Sequence, residues 1–129
     1  MRRTYGRAQK LKSRTTIERL FVQGERLKTF PFLLIFEKFD HKGPNPVKAG
    51  FSVPKKNIKS AVGRNRIKRM MKEAFRTNFP EMLYRLPDQY VFMILYIPSK
   101  ELEYHKIEKG MNTLLETFLT KTGNNETKN

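Results

Sequence analysis

The sequence predicts a mixed α/β (α+β) fold, a two-layer sandwich in which helices pack on one mixed sheet in the order α-β-β-α-β-α. Two strand-like segments occur in the first half, and an almost wholly apolar segment lies between two helix-period segments in the second half. Strand, helix and strand in succession are typical of a β-α-β unit with a parallel crossover. The 129 residues fit one domain with a single modest core, since no repeat or linker interrupts the pattern.

The first half is predicted to contain one helix and two strands. Thr15 opens a capping box and apolar residues follow at helical intervals, so we expect a short helix over 16–23. The segment 30–39 is rich in Phe, Leu and Ile, and 47–54 alternates apolar with small residues, so both are predicted strands. Residues 41–46 contain Gly and Pro and form a turn, so the two strands are expected to pair as an antiparallel hairpin.

The second half is predicted to hold a basic helix, a central strand and a final helix. The basic helix begins between residues 59 and 65 and ends near residue 78, before Pro80. The segment 89–97 is nearly all apolar, which indicates a strand buried on both faces. The final helix carries one apolar stripe, made of Ile107, Met111, Leu114, Leu115, Phe118 and Leu119.

Two polar ends are expected to lie outside the core of this single domain, which covers 1–129. Residues 1–12 carry five basic side chains and no acid, which favours a flexible basic arm. Residues 123–129 are polar and are expected to form a frayed tail.

The charge balance points to a polyanionic partner. The chain has 27 basic and 12 acidic residues, a formal net charge of +15. Repulsion among these positive charges opposes compaction, and a chain tolerates it mainly when it binds a polyanion. Nucleic acid is therefore the first expected partner and an anionic membrane the second. A hydrophobic content of 38 % with ten Phe is too high for a disordered basic tail, so we expect a folded basic domain.

The location is predicted to be cytoplasmic. The chain has no cysteine, which excludes disulfides and thiolate metal sites. Its first twenty residues are basic and lack the apolar stretch of a secretory signal. The longest apolar run is far too short to cross a bilayer, so no membrane association by a span is expected.

The basic helix has two distinct faces when wound at about 100° per residue. Its polar face consists of Asn65, Lys68, Arg69, Lys72 and Arg76, and its apolar face of Ile67, Met70, Met71 and Ala74. Between residues 55 and 76 nine cations oppose a single carboxylate, Glu73. A solvated helix face is the usual interpretation of a charge run, but one sign of charge favours phosphate binding. Asn65 either hydrogen-bonds a base edge, a ribose hydroxyl or a phosphate, or is the helix N-cap, and both remain open.

Catalysis by the protein itself is not indicated. His41 and His105 have no partner at ligand spacing, and no nucleophile-elbow, Walker A or dinucleotide-binding motif occurs. The acidic residues are scattered, whereas two-metal nucleases need converging carboxylates. Most Phe residues are expected in the core, and an exposed minority would be able to stack unpaired bases.

With these residues in view, the chain resembles the protein subunit of bacterial ribonuclease P over about residues 11–119. Residues 64–69 read Arg-Asn-Arg-Ile-Lys-Arg, similar to the arginine-asparagine-arginine signature of that family, and Ala-Phe-Arg follows at 74–76. Upstream, Gly-Phe-Ser-Val-Pro-Lys-Lys at 50–56 is similar to the family's strand leading into two lysines. Leu11-Lys12, Phe21, Gly24 and Ala61-Val62 also fit the family pattern.

The resemblance implies a protein cofactor of a ribozyme. The RNA subunit, with bound Mg²⁺, would hydrolyse the phosphodiester that joins the 5′ leader to precursor tRNA. Ribonuclease activity would then belong to the ribonucleoprotein, and its chemistry to the RNA. The resemblance also implies a left-handed β-α-β crossover, against the usual right-handed rule.

The resemblance and the cationic face together give the expected site residues. The RNA subunit would be bound by Arg64, Asn65, Arg66, Lys68, Arg69, Lys72, Arg76, Lys55 and Lys56. The leader would lie in a cleft between the first helix and the sheet, bound by Lys12, Ile17, Phe21, Ile35 and Lys68. Family members often have aromatic residues where Ile17 and Ile35 stand, and an isoleucine packs on a base without π-stacking. No catalytic or metal-binding residue and no organic cofactor is expected in the protein.

Two other classes of function are weighed against this one. A ribosomal or other structural RNA-binding protein would bind RNA without promoting any processing. A self-sufficient nuclease would cleave RNA unaided, which the scattered carboxylates disfavour. Whether cleavage requires an added RNA subunit discriminates among the three.

Overall fold

The computed structural model describes residues 14–39 and 44–127, which form three α-helices and four strands. The predicted basic arm and Lys12 therefore lie outside the described residues. The elements in chain order are α1 (Arg14–Gln23), β1 (Glu25–Thr29), β2 (Phe32–Lys38), β3 (Val47–Ser52), α2 (Ala61–Asn78), β4 (Tyr90–Tyr96) and α3 (Tyr104–Thr127), with a short 3₁₀ segment (Glu81–Arg85) before β4.

The four strands form one mixed sheet in the order β1-β2-β4-β3. β2 pairs antiparallel with both β1 and β4, whereas β3 pairs parallel with β4. The predicted central position of 89–97 and the parallel crossover through the basic helix are confirmed. The left-handedness of that crossover stays a prediction.

The predicted antiparallel hairpin of 30–39 with 47–54 is wrong, because β4 lies between β2 and β3. The true hairpin joins β2 to β1, a strand that the sequence analysis missed. β1 reads Glu-Arg-Leu-Lys-Thr at the edge of the sheet, where polar side chains are tolerated and the apolar alternation of a strand is weak. β4 is almost all apolar, which suits its inner position in the sheet because an inner strand is covered on both faces.

The face of the sheet toward α2 and α3 is aromatic and holds the main core. Phe32, Phe36, Phe92 and Tyr96 point to this side and are at most 4 % exposed. The Phe118 ring of α3 meets Phe36, Phe92 and Tyr90 edge to face, with centroids 4.8 to 5.1 Å apart. The predicted two-layer packing of helices on the sheet is confirmed on this side.

The opposite face is mainly aliphatic, with Phe39 at its margin, and is partly covered by α1. Leu20 of α1 packs on Ile35, Val91 and Met93, with Ile17 at the margin. The alternation of side chains along a strand places this set opposite the aromatic one. α1 is confirmed close to its predicted bounds, and it covers only part of its face of the sheet.

The last helix is longer than predicted. α3 continues to Thr127, so residues 123–127 have helical backbone where the sequence predicted a frayed tail; 128–129 lie outside the described residues. Thr122 is 8 % exposed, and its hydroxyl is satisfied within the helix by donating to the Phe118 carbonyl at 2.6 Å. Gly110 allows α3 to cross the β1–β2 turn closely, because a Cβ there would clash with Pro31.

Candidate nucleic-acid interface

The start of α2 is fixed by a side-chain cap and by the loop before it. The Ser60 hydroxyl accepts a hydrogen bond from the Gly63 backbone N–H at 3.1 Å, which makes Ser60 the N-cap. The alternative that Asn65 is the N-cap is therefore wrong, and its side chain is exposed on the first turns of the helix. The loop is held to the sheet by Asn57, whose Nδ2 donates to the Tyr96 carbonyl at 3.1 Å.

Arg64 fastens the same loop to the helix. Its Nη1 donates to the carbonyl oxygens of Ile58 at 3.0 Å and Lys59 at 2.8 Å. The guanidinium has five N–H donors, so these two bonds leave other donors for a phosphate. Arg64 thus stabilises the start of α2, in addition to its predicted role in binding RNA.

Cations without a carboxylate partner line the outer ridge of α2 and the loop before it. Arg69 is exposed, as is the uncharged Asn65 beside it, and the cations Lys68 and Lys72 are partly exposed. In residues 14–39 and 44–127 no carboxylate oxygen lies within 4.0 Å of these cations or of the exposed pair Lys55 and Lys56. Their charge is therefore uncompensated within the described chain.

The acidic residues near α2 lie on its other flank, toward α3. Glu101, just before α3, forms an ion pair with Arg66. Glu73 forms one with Arg76 at 2.5 Å, and Glu108 of α3 accepts a hydrogen bond from Asn78 at 3.5 Å. Burial together with the charges of Glu108 and Glu73 raises the pKa of the Tyr104 hydroxyl in this region. The cationic surface therefore extends away from α3, across the ridge of α2 and onto the loop at 53–60.

Of the expected leader residues, Ile17 and Phe21 lie on α1, Ile35 on the aliphatic face and Lys68 on α2, while Lys12 lies outside the described residues. Phe21 is 39 % exposed and Ile17 is partly buried beside it on the same helical flank. Ile35 is 1 % exposed beneath Leu20, so it supports this face from below and presents no surface to a ligand in this structure.

A row of four residues continues this face beyond α1. The strand registers align Lys28 with Leu33, Leu33 with Leu95, and Leu95 with Ser52. Leu33 and Leu95 are partly buried and Lys28 is exposed, whereas the next row, with Ile35 and Met93, is covered by α1. The row lies at the end of the sheet where β3 leads into Lys55 and Lys56.

Comparison with known proteins decides the family. The profile of the Ribonuclease P family matches residues 5–119. The ribonuclease P protein component of Chlorobium phaeobacteroides is 34 % identical over 128 residues, covering 85 % of this chain and 87 % of that protein. The chain belongs to the ribonuclease P protein family.

Solved ribonuclease P proteins share the fold. The Staphylococcus aureus protein aligns with a TM-score of 0.70 at 20 % identity, over 87 % of this chain and 96 % of its own. The Thermotoga maritima protein gives a TM-score of 0.64 at 23 % identity, over 83 % and 96 %. The residues that match the family profile, 5–119, include all four strands of the sheet.

The structure also places Lys28, Leu33 and Leu95 side by side, a row that the sequence did not predict. The row exists only through the pairing of β1 and β4 with β2. The one sequence feature that pointed to this row is the position of Leu33 between Phe32 and Leu34, which puts its side chain on the opposite face of the sheet from theirs. Among the described residues there is no cluster of three or more metal-ligating side chains, and none of the helices combines the length and apolarity of a membrane span.

Proposed function

We propose that this chain is the protein subunit of ribonuclease P and assists removal of the 5′ leader from precursor tRNA. The cationic ridge of α2 binds the RNA subunit, and the aliphatic face with Phe21 binds the leader. The RNA subunit, with its Mg²⁺, performs the hydrolysis, as the family resemblance implies. This action belongs in the cytoplasm, which a chain without cysteine suits.

The segregation of charge on α2 carries the proposal. Arg66 and Arg76 are paired with carboxylates on the α3 flank, while Lys68, Arg69 and Lys72 have none within 4.0 Å in the described ranges. A helix stabilised only by its own surface ion pairs would spread its acids around both flanks. One flank of uncompensated cations on a rigid helix suits an extended phosphate backbone.

The leader is proposed to run along the row at the end of the sheet. Lys28 is the first residue of the row, and Lys55 and Lys56 follow β3, the strand that supplies its last residue, Ser52. Leu33 and Leu95 offer apolar contact to riboses and base edges between these cations. Such a path leads a single strand toward the start of α2, where the RNA-binding ridge begins.

This face binds a single strand mainly through its backbone. In the described strands the aromatic side chains point toward α2 and α3, and the face toward α1 is aliphatic and polar. Base stacking on aromatic rings contributes about 1–3 kcal/mol per base in other single-strand binders. Here Phe21 is the exposed aromatic of α1 that supplies such a contact.

The test is cleavage of a precursor tRNA with a 5′ leader at low Mg²⁺. The protein alone, a bacterial ribonuclease P RNA alone, and the two together are compared by gel. We expect cleavage at the mature 5′ end only when both are present. The protein with its +15 charge reduces repulsion between two polyanions that the low Mg²⁺ leaves unscreened.

Each other outcome contradicts the proposal in its own way. Cleavage by the protein alone would mean that the chain is a self-sufficient nuclease. Binding of the RNA with no gain in cleavage would favour a structural RNA-binding protein.

A further inference from the structure

Glu101 is the carboxylate that contacts the RNA-binding helix where the signature residues begin. It forms an ion pair with Arg66, whose side chain is 52 % exposed. A Cβ on Gly63 would lie 2.8 Å from Glu101 Oε2, so this carboxylate packs directly against the first turn of α2. Glycine at that position gives the carboxylate room to reach Arg66.

The backbone around Glu101 is fixed from both sides. The Tyr96 hydroxyl donates to the Lys100 carbonyl at 2.7 Å and accepts from the Leu102 N–H at 3.0 Å. The Tyr96 ring is fully buried in the aromatic core at the end of β4. One buried hydroxyl therefore holds the residues before and after Glu101, and the loop presents its carboxylate from a rigid base.

We propose that Glu101 is a positioning residue, which fixes the Arg66 guanidinium so that α2 distinguishes the ribonuclease P RNA from other RNA. The inference rests on the proposed function and deepens it. Glu101 engages Arg66 through Nη1, and the guanidinium keeps other N–H donors for a phosphate. An arginine held by a carboxylate loses less rotamer freedom on binding than a free arginine does. This gain helps binding only to an RNA that places a phosphate at the position where the guanidinium is held, so it favours the cognate RNA over non-specific RNA.

The carboxylate also repels every RNA, so affinity alone does not report positioning. Loss of one negative charge is expected to raise the affinity for any RNA. Loss of positioning lowers only the affinity for the cognate RNA. The ratio of cognate to non-cognate affinity separates the two effects, because the charge effect is common to both and cancels.

The experiment compares Glu101→Gln with Glu103→Gln in the full chain. Glu103 lies two residues on, its side chain is 78 % exposed, and its contact is with His105 Nδ1 at 4.0 Å. Filter binding at fixed salt and Mg²⁺ uses a bacterial ribonuclease P RNA and a scrambled transcript of the same length. Glu103→Gln is expected to keep the affinity ratio of the wild type, and Glu101→Gln to lower it about threefold.

A second comparison keeps the inference testable if Glu101→Gln perturbs its loop. In an Arg66→Ala background there is no guanidinium to position, so adding Glu101→Gln is expected to leave the affinity ratio unchanged. A further fall in that background, or equal ratios for Glu101→Gln and Glu103→Gln, would overturn the inference. A wild-type protein that binds both transcripts equally would instead overturn the proposed function.

Discussion

At the scale of single residues, Tyr96 connects the core to the interface. Its ring belongs to the aromatic core, and its hydroxyl fixes the loop that carries Glu101. Leu102 is 8 % exposed, so its N–H has little access to water as an alternative partner. A buried donor without an acceptor destabilises a fold more than an average hydrogen bond stabilises it.

We therefore expect Tyr96→Phe to lower the free energy of unfolding by about 1–3 kcal/mol, measured by urea denaturation at neutral pH.

Burial raises the pKa of the Tyr96 hydroxyl above its ordinary value of 10.0. The hydroxyl therefore ionises first in the unfolded chain, and its contribution to stability is complete below pH 10 and is lost as the pH rises further. The difference in stability between wild type and Tyr96→Phe should narrow above pH 10. A constant difference across that range would contradict the assignment.

At the scale of elements, the two flanks of α2 have different electrostatic surroundings. Arg69 is exposed and has no carboxylate within 4.0 Å in the described ranges, whereas Arg76, two turns later, is paired with Glu73. The two arginines are seven residues apart on the polar face of α2, so they make a matched comparison. A phosphate that binds Arg76 has to compete with Glu73, whereas among the described residues no carboxylate competes for Arg69.

The Arg69→Ala variant is expected to weaken binding of ribonuclease P RNA and to reduce the slope of log K against log salt by about one. Arg76→Ala should reduce it less, because Glu73 already offsets the charge of Arg76, which therefore neutralises less phosphate in the complex. A salt titration by filter binding measures both slopes. Equal slopes for the two variants would mean that the ion pair with Glu73 does not survive in the complex.

α1 and the aliphatic face make a second element-scale prediction. Phe21→Ala removes a 39 % exposed aromatic from the flank of α1 that includes Ile17. We expect affinity for precursor tRNA to fall by about fivefold or more, with mature tRNA unaffected, since only the precursor has a leader. Val22→Ala is the control, because Val22 is the next residue on α1 and is 80 % exposed. Equal losses for precursor and mature tRNA would argue against a leader surface at Phe21.

The sequence predicted what is decided locally. The cationic helix was predicted because its two faces depend on spacing within 18 residues, and its bounds agree with Ala61–Asn78. Strand pairing is decided by the whole sheet, so the insertion of β4 between β2 and β3 was not predicted. β1 was missed because an edge strand needs few apolar residues.

The parts of the site that were missed depend on the same long-range pairing. Arg66 and Glu101 are 35 residues apart in sequence and meet only because the β3-α2-β4 crossover returns the chain to the start of α2. Likewise Lys28 joins Leu33 and Leu95 only once β1 and β4 are placed beside β2. No spacing rule within a single element would have found either set.

For the whole molecule, the location of positive charge should matter more than its total. The chain carries +15, yet the cations of α3 lie among acids such as Glu103, Glu108 and Glu116, whereas those of the α2 ridge do not. If the protein acts as an electrostatic bridge between two RNAs, charge at the interface should substitute for Mg²⁺. Charge elsewhere should contribute only weakly through the screened field.

Two triple variants with the same loss of charge test this. The interface variant is Lys68→Ala, Arg69→Ala and Lys72→Ala, and the control is Lys106→Ala, Lys109→Ala and Lys121→Ala on the exposed side of α3. We expect the interface variant to need several times more Mg²⁺ for half-maximal cleavage of precursor tRNA. At saturating Mg²⁺ its rate should approach that of the wild type, because divalent cations neutralise the same phosphates.

Equal shifts in the Mg²⁺ requirement for the two variants would mean that net charge alone acts, and that α2 is not the interface. A rate that stays low at saturating Mg²⁺ would mean that the three cations do more than neutralise phosphate, for example by placing the RNA in one orientation. An electrostatic role of α2 requires two results. Only the interface variant should need extra Mg²⁺, and saturating Mg²⁺ should restore its cleavage rate. It would tie the segregation of charge on this helix to the catalytic function of the ribonucleoprotein.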